Sequence, residues 1–165
     1  MSKIIGNGDI ANALNEIKGD FLFFASGVSN SQETRDFKYE REIILLMNQD
    51  RNFHIVYFSS LAIFYSDTRY TKHKLQMEHL VKKFFNSYTI IRLGNITWGK
   101  NPHTLINYLR NKKQNGEPLE IQDTCRYLID KEEFKHWMDM IPSWNCEMNI
   151  PGRRMSIKQI VEEYV

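Results

Sequence analysis

The sequence predicts an α/β fold, a parallel sheet with helices on both faces, and three observations carry that prediction. Short continuous apolar runs recur at Lys3–Ile5, Phe21–Phe24, Phe53–Phe58 and Tyr88–Leu93. Runs of this kind suit strands buried on both faces. Between them lie segments with helical spacing, Ile10–Ile17, Gln32–Asn48 and Tyr70–Phe85, and Thr104–Lys112 follows the last run. A β-α-β-α order closes as a parallel sheet, here of about four or five strands. Ligands of such sheets bind at the carboxyl ends of the strands.

Each element has its own signature. Lys3–Ile5 runs into Gly6-Asn7-Gly8, and Ile10–Ile17 takes up helical character directly after it. Phe21–Phe24 leaves through the small residues Ala25, Ser26 and Gly27, which allow a ligand to come close. Gln32–Asn48 is polar at first and then rich in Ile and Leu. On Tyr70–Phe85 the expected core stripe is Leu75, Leu80, Val81 and Phe84. Glu120–Ile121 is a candidate short strand. Asp130 to Glu133 reads as a capping box opening a late helix. Ser156 to Gln159 reads as a second box, with Met155 and Ile160 placed for a hydrophobic staple.

The chain of 165 residues reads as one domain, long enough to bury a core. Its net charge of +2 is near neutral, and its basic residues come in pairs such as Lys82-Lys83, Lys112-Lys113 and Arg153-Arg154. Nucleic acid is therefore not an expected partner. No apolar run approaches the ~20 residues of a membrane span, and no signal-peptide pattern opens the sequence, so a cytoplasmic protein is expected. Cys125 and Cys146 make neither a disulfide framework nor a zinc site, and the five histidines lack metal-ligand spacing.

The turn Gly6-Asn7-Gly8-Asp9-Ile10-Ala11 fits the strand, G-x-G-x-x-A, helix pattern. Gly6 permits a tight turn, Gly8 lets the backbone approach a pyrophosphate, and Ala11 keeps helix and strand close. A glycine turn at this junction also arises for purely structural reasons. Its place after the first strand favours a dinucleotide phosphate site at Gly6, Asn7, Gly8, Asp9 and Ile10, with Ala25 and Ser26 beside it.

A second constellation follows. Phe58-Ser59-Ser60 ends one strand, and Tyr70 to Lys74 opens the next helix. Tyr70 and Lys74 are one turn apart on one helical face. An ammonium beside a phenol favours the phenolate and readies it for proton exchange. A serine at the neighbouring strand end can hydrogen-bond the same substrate oxygen. This set moves a proton on a carbinol or carbonyl while a nicotinamide moves the hydride.

Taken together these segments resemble the extended short-chain dehydrogenases/reductases, the NAD-dependent epimerase/dehydratase group. Val56 to Phe64 is similar to their strand and "SSxxVY" segment, and Tyr70 to Glu78 to their "YGKSKLxxE". Ile91 to Gly99 is similar to "xRxxNVYG", Tyr127 to Asp130 to "YVDD", and Asn149 to Ile157 to the late "YNIG…SI" segment. The resemblance implies a Rossmann-like sheet with a reduced strand number, residues 1–115 forming the cofactor-binding core and 116–165 a reduced C-terminal substrate-side segment. It implies Ser60, Tyr70 and Lys74 as the catalytic set, Lys74 also as a cofactor-ribose ligand, and Asn95 as a substrate-binding residue. The implied activity is an NAD(P)-dependent oxidoreductase or epimerase acting on a sugar, in particular a nucleotide sugar.

The departures are as informative. Only Lys18-Gly19-Asp20 stands where the family has two strands and a helix, so the adenosine half-site of NAD or NADP is truncated. Leu61 and Ala62 stand where sugar dehydratases carry an acid and a base, which argues against dehydration. The alternative is a degenerate, non-catalytic member acting as a binding or assembly subunit. With its usual neighbours missing, Lys3–Ile5 is expected at a sheet edge, covered by a second copy in a homodimer or by another segment.

Overall fold

The computed structural model describes residues 1–165. The chain runs β1 (Lys3–Ile5), α1 (Asp9–Ala13), β2 (Phe21–Phe24), α2 (Asp36–Met47) and β3 (His54–Ser60). A 3₁₀ turn (Leu61–Phe64), α3 (Arg69–Phe84), β4 (Tyr88–Leu93), β5 (Asn95–Ile96) and α4 (Leu105–Gln114) follow. The last elements are β6 (Cys125–Ile129), α5 (Lys131–Met138), β7 (Cys146–Ile150), β8 (Arg153–Ser156) and α6 (Ile157–Tyr164). No helix is long and apolar enough to cross a membrane.

Five strands form one all-parallel sheet in the order β1-β2-β3-β4-β7, with β1 at an edge as expected. Alternate side chains leave the strands on opposite faces. Phe23, Val56, Phe58, Ile91 and Leu93 meet Ala13, Leu14 and Ile17 on one face, together with Phe134 and Met138 of α5. Leu22, Phe24, Ile55, Tyr57 and Ile90 meet Leu46 of α2 and Met77 and Val81 of α3 on the other. The continuous apolar runs thus supply both faces at once. A smaller sheet, β5-β6-β8, carries α4 and α6 on a third apolar cluster around Ile106, Leu128 and Ile160.

Several local expectations change. Helix α2 starts at Asp36, not at Gln32, because the Glu33 carboxylate folds back onto the amides of Thr34 and Arg35 at 3.1 and 3.0 Å. Asp130 does not cap α5 with its side chain. Its Oδ1 accepts instead from Thr97 Oγ1 at 2.6 Å and the Tyr164 hydroxyl at 3.1 Å. The Ser156–Gln159 box is present in both directions, at 3.2 and 2.9 Å. Leu75 is exposed, since the buried stripe of α3 runs through Thr71, Lys74, Met77, Glu78 and Val81. Glu120–Ile121 forms no strand, and β7 joins the main sheet from the C-terminal third.

Candidate functional site

A cleft of about 1260 Å³ opens at the carboxyl ends of β2, β3 and β4. One wall is the turn from Asn7 to Ile10 and another the loop from Ala25 to Gln32. Ser60, Tyr70, Lys74 and Asn95 all line it. Ser60 is the last residue of β3, paired in register with Leu93 of β4. Its Oγ accepts the Ala62 amide at 3.1 Å and caps the 3₁₀ turn. Helix α3 is launched by a reciprocal cap between Thr68 and Thr71, which places Tyr70 in its first turn. Lys74 Nζ lies 5.6 Å from the centre of the Tyr70 ring. Asn95 lines the cleft with its Nδ2 donating to the Tyr127 carbonyl at 3.1 Å.

The surroundings of Lys74 hold a residue that the sequence reading did not single out. Lys74 is 4% exposed and Glu42 of α2 is fully buried. Glu42 Oε1 lies 3.5 Å from Lys74 Nζ and accepts the Tyr57 hydroxyl at 2.8 Å. Glu42 Oε2 accepts the Val28 amide at 2.9 Å and is 2.8 Å from His73 Nε2. Lys74 Nζ also donates to the Tyr57 hydroxyl and the Phe58 carbonyl, both at 3.4 Å. Burial pushes the Glu42 carboxyl up, but Lys74, His73 and the Val28 amide overturn that and hold it at about 2. Burial alone would lower the Lys74 ammonium, yet the Glu42 carboxylate turns the net shift upward. The spacing Tyr39, Glu42, Leu46 marks one helical stripe, and that pattern could have flagged Glu42 as a core-facing acid.

A second buried ion cluster serves the frame. Arg92 of β4 holds Glu78 of α3 through two bonds, at 2.9 and 2.6 Å, and reaches Glu147 of β7 at 2.8 Å. These are the glutamate and arginine of the two quoted motifs, and they fasten α3 to the sheet.

The glycine turn separates into distinct roles. Gly6 has φ +127°, and a Cβ there would stand 2.3 Å from the Ala25 carbonyl oxygen. It lets β1 run close against the exit of β2. A Cβ at Gly8 would have no atom within 4 Å, and Gly8 faces the cleft. Asp9 turns its carboxylate across to the amides of Lys100 and Asn101, at 3.0 and 2.9 Å. Four cations line the cleft besides Lys74: Lys38 and Arg41 from α2, Lys112 from α4 and Arg126 from β6. None of the four is in an ion pair within the chain. Ser59 Oγ, also at the cleft, is the one buried side-chain oxygen without a hydrogen-bond partner.

No protein-family model and no curated protein matches the sequence. Solved structures do. The chain is similar to WbmG of Bordetella bronchiseptica, crystallised with NAD and UDP, at a TM-score of 0.69 and 15% identity over 92% of this chain and 57% of that one. It is similar to the UDP-glucuronic acid 4-epimerase of Bacillus cereus, crystallised with UDP-glucuronic acid and NAD, at 0.63 and 15% over 94% and 61%. It is similar to the capsular polysaccharide assembling protein CapF of Staphylococcus aureus, at 0.58 and 20% over 88% and 44%. The chain therefore spans about half the length of the proteins it matches. At these identities the likeness establishes the fold alone, a Rossmann-like α/β architecture with a parallel sheet shared with these structures.

Proposed function

We propose that the cleft binds a nucleotide sugar beside a nicotinamide dinucleotide, and that Ser60, Tyr70 and Lys74 carry proton exchange on a sugar hydroxyl. The observation that carries this reading is convergence. Ser60 from β3, Tyr70 and Lys74 from α3 and Asn95 from β5 line one cleft, which the glycine turn also lines. The four unpaired cations suit an anionic ligand such as a nucleoside diphosphate sugar.

The residues present fit one end of a dinucleotide. The open space before Gly8 is a cradle that any side chain would fill. Gly8, Asn7, Ala25 and Ser26 would hold the phosphates and Lys74 the nearer ribose. A bound nicotinamide, of NAD or NADP, would supply or accept the hydride. The other end differs, since β1 has no strand on its outer side. On this reading Tyr70 gives or takes the hydroxyl proton, Ser60 donates to the same oxygen, and Lys74 is the electrostatic partner of Tyr70. The open side of β1 seats a second copy of the chain in a homodimer.

One observation favours a second reading, a binding subunit without turnover. Lys74 is committed to the buried Glu42, so its charge is already answered before any ligand arrives. Titration with NADH and with UDP, followed by turnover assays with UDP-sugars, separates the two. Binding of both with epimerisation or reduction supports the enzyme. Binding without chemistry supports the subunit, and no binding of either rejects both.

A further inference from the structure

We infer that Asp9 is a positioning residue that holds the glycine turn in shape by tying it to the turn 99–101, in place of the strands missing beyond β1; this rests on the dinucleotide reading above.

The glycine turn is poorly supported by its own neighbourhood. Strand β1 has three residues and pairs only with β2, and α1 has five residues. In a sheet with strands on both sides of β1, the turn would be clamped from both flanks. Here the outer flank is open. A segment held by so few contacts is the kind that opens first.

Asp9 supplies the missing clamp. It opens α1, but α1 uses no side-chain cap, and both oxygens of Asp9 leave their own helix. Oδ1 accepts the Lys100 amide at 3.0 Å and Oδ2 the Asn101 amide at 2.9 Å. The Trp98 indole donates to the Asp9 carbonyl at 3.2 Å, so the main chain is gripped as well. Gly99, at φ +95°, admits the carboxylate, for a Cβ there would stand 2.0 Å from Asp9 Cγ. The receiving turn is itself rigid. Asn107 Nδ2 of α4 donates to the Gly99 and Asn101 carbonyls at 3.1 and 2.9 Å, and Thr104 Oγ1 donates to Asn101 at 3.2 Å.

A continuous path therefore joins Gly8, Asp9, the turn 99–101 and α4, whose Tyr108 and Lys112 line the far part of the cleft. A charged acceptor on two consecutive amides is stronger than a neutral one. The two walls move as one body, and a ligand held on the α4 side pre-forms the glycine turn. This is a coupling between two ligands of one cleft.

The test uses NADH and UDP as probes on the full chain, each titrated alone and in the presence of the other at saturation. In the wild type, UDP is expected to tighten NADH by about fivefold or more. Asp9→Ala is expected to erase that ratio and weaken NADH by about tenfold, with UDP alone changed less than about twofold. Asp9→Asn keeps the size and one acceptor, and is expected to fall between; it also decides the matter if Asp9→Ala does not fold. Unchanged NADH affinity and coupling in the folded variants overturn the inference. Equal losses for NADH and UDP also overturn it, since they mark a general structural role. A wild type that binds neither probe rejects the dinucleotide reading, and the inference falls with it.

Discussion

Glu42 Oε1 lies 3.5 Å from Lys74 Nζ, and the Tyr57 hydroxyl touches both, at 2.8 and 3.4 Å. Removing the acid would strand an ammonium in the core. Glu42→Ala is expected to destabilise the fold by about 3–5 kcal/mol, in the range of broken buried pairs. Glu42→Gln keeps an acceptor for the Val28 amide and is expected to cost less. Urea unfolding reads both, and a loss below about 1 kcal/mol for the alanine variant would show that the pair holds nothing together.

The pH dependence follows from the two shifts. Glu42 is held at about 2 against its usual 4.5, so its contribution is full above 4.5 and disappears as pH falls toward 2. Lys74 is raised above its usual 10.5, so its contribution is full below 10.5 and disappears as pH climbs past the folded value. The gap in urea midpoint between the wild type and Glu42→Gln should be widest between pH 4.5 and 10.5 and should narrow on the acid side. A gap that stays constant down to pH 2 would contradict the assignment.

Two neighbouring glycines should respond in opposite ways. The Cβ of Gly8→Val meets no protein atom within 4 Å, so the melting temperature should stay within a few degrees while NADH binding is lost. Gly6→Ala collides with the Ala25 carbonyl and sits at φ +127°, so it should lower stability by about 1–3 kcal/mol or more. NADH binding by Gly8→Val at wild-type affinity would remove this turn as a phosphate site.

Tyr70→Phe keeps the ring and deletes the exchangeable proton. Ligand affinity is expected to hold within about threefold, while turnover falls by about 10²–10⁴. Ser60 needs a subtler control, because its Oγ also caps the 3₁₀ turn. Ser60→Ala should cost about 1 kcal/mol of stability in addition to activity, whereas Ser60→Thr keeps a hydroxyl for both tasks. Full activity in Tyr70→Phe on a UDP-sugar that the wild type converts would exclude the proton role.

Three of the four early strands were legible because each holds a run such as Leu22-Phe23-Phe24 or Ile90-Ile91, apolar on successive residues and so buried on both faces, whereas the half-buried β1 was legible from the glycine turn that follows it. Strand β7 was not. Its sequence, Cys-Glu-Met-Asn-Ile, is half polar because Glu147 and Asn149 turn toward Arg92, and only the fold reveals that a charge waits there. The cleft residues were legible as motifs with fixed spacing. Glu42 was hidden in the charged stretch from Glu40 to Glu42, since composition does not distinguish the buried acid from the exposed one beside it. Asp9 stood out only as part of the glycine turn beside Gly8, and nothing in the sequence shows that its carboxylate meets amides about ninety residues away.

The pairing of β4 with β7 has a consequence for biosynthesis. Thr89 and Cys146 are register partners 57 residues apart in the chain. At a ribosomal pace of about 5–20 residues per second, β4 waits roughly 3–11 s before its neighbour exists. Throughout that interval the nascent chain presents Ile90 and Ile91 on a strand with one side of its backbone unpaired, a template for association with other chains. Chains released before β7 is made should therefore partition to aggregates or chaperones more than chains that carry it.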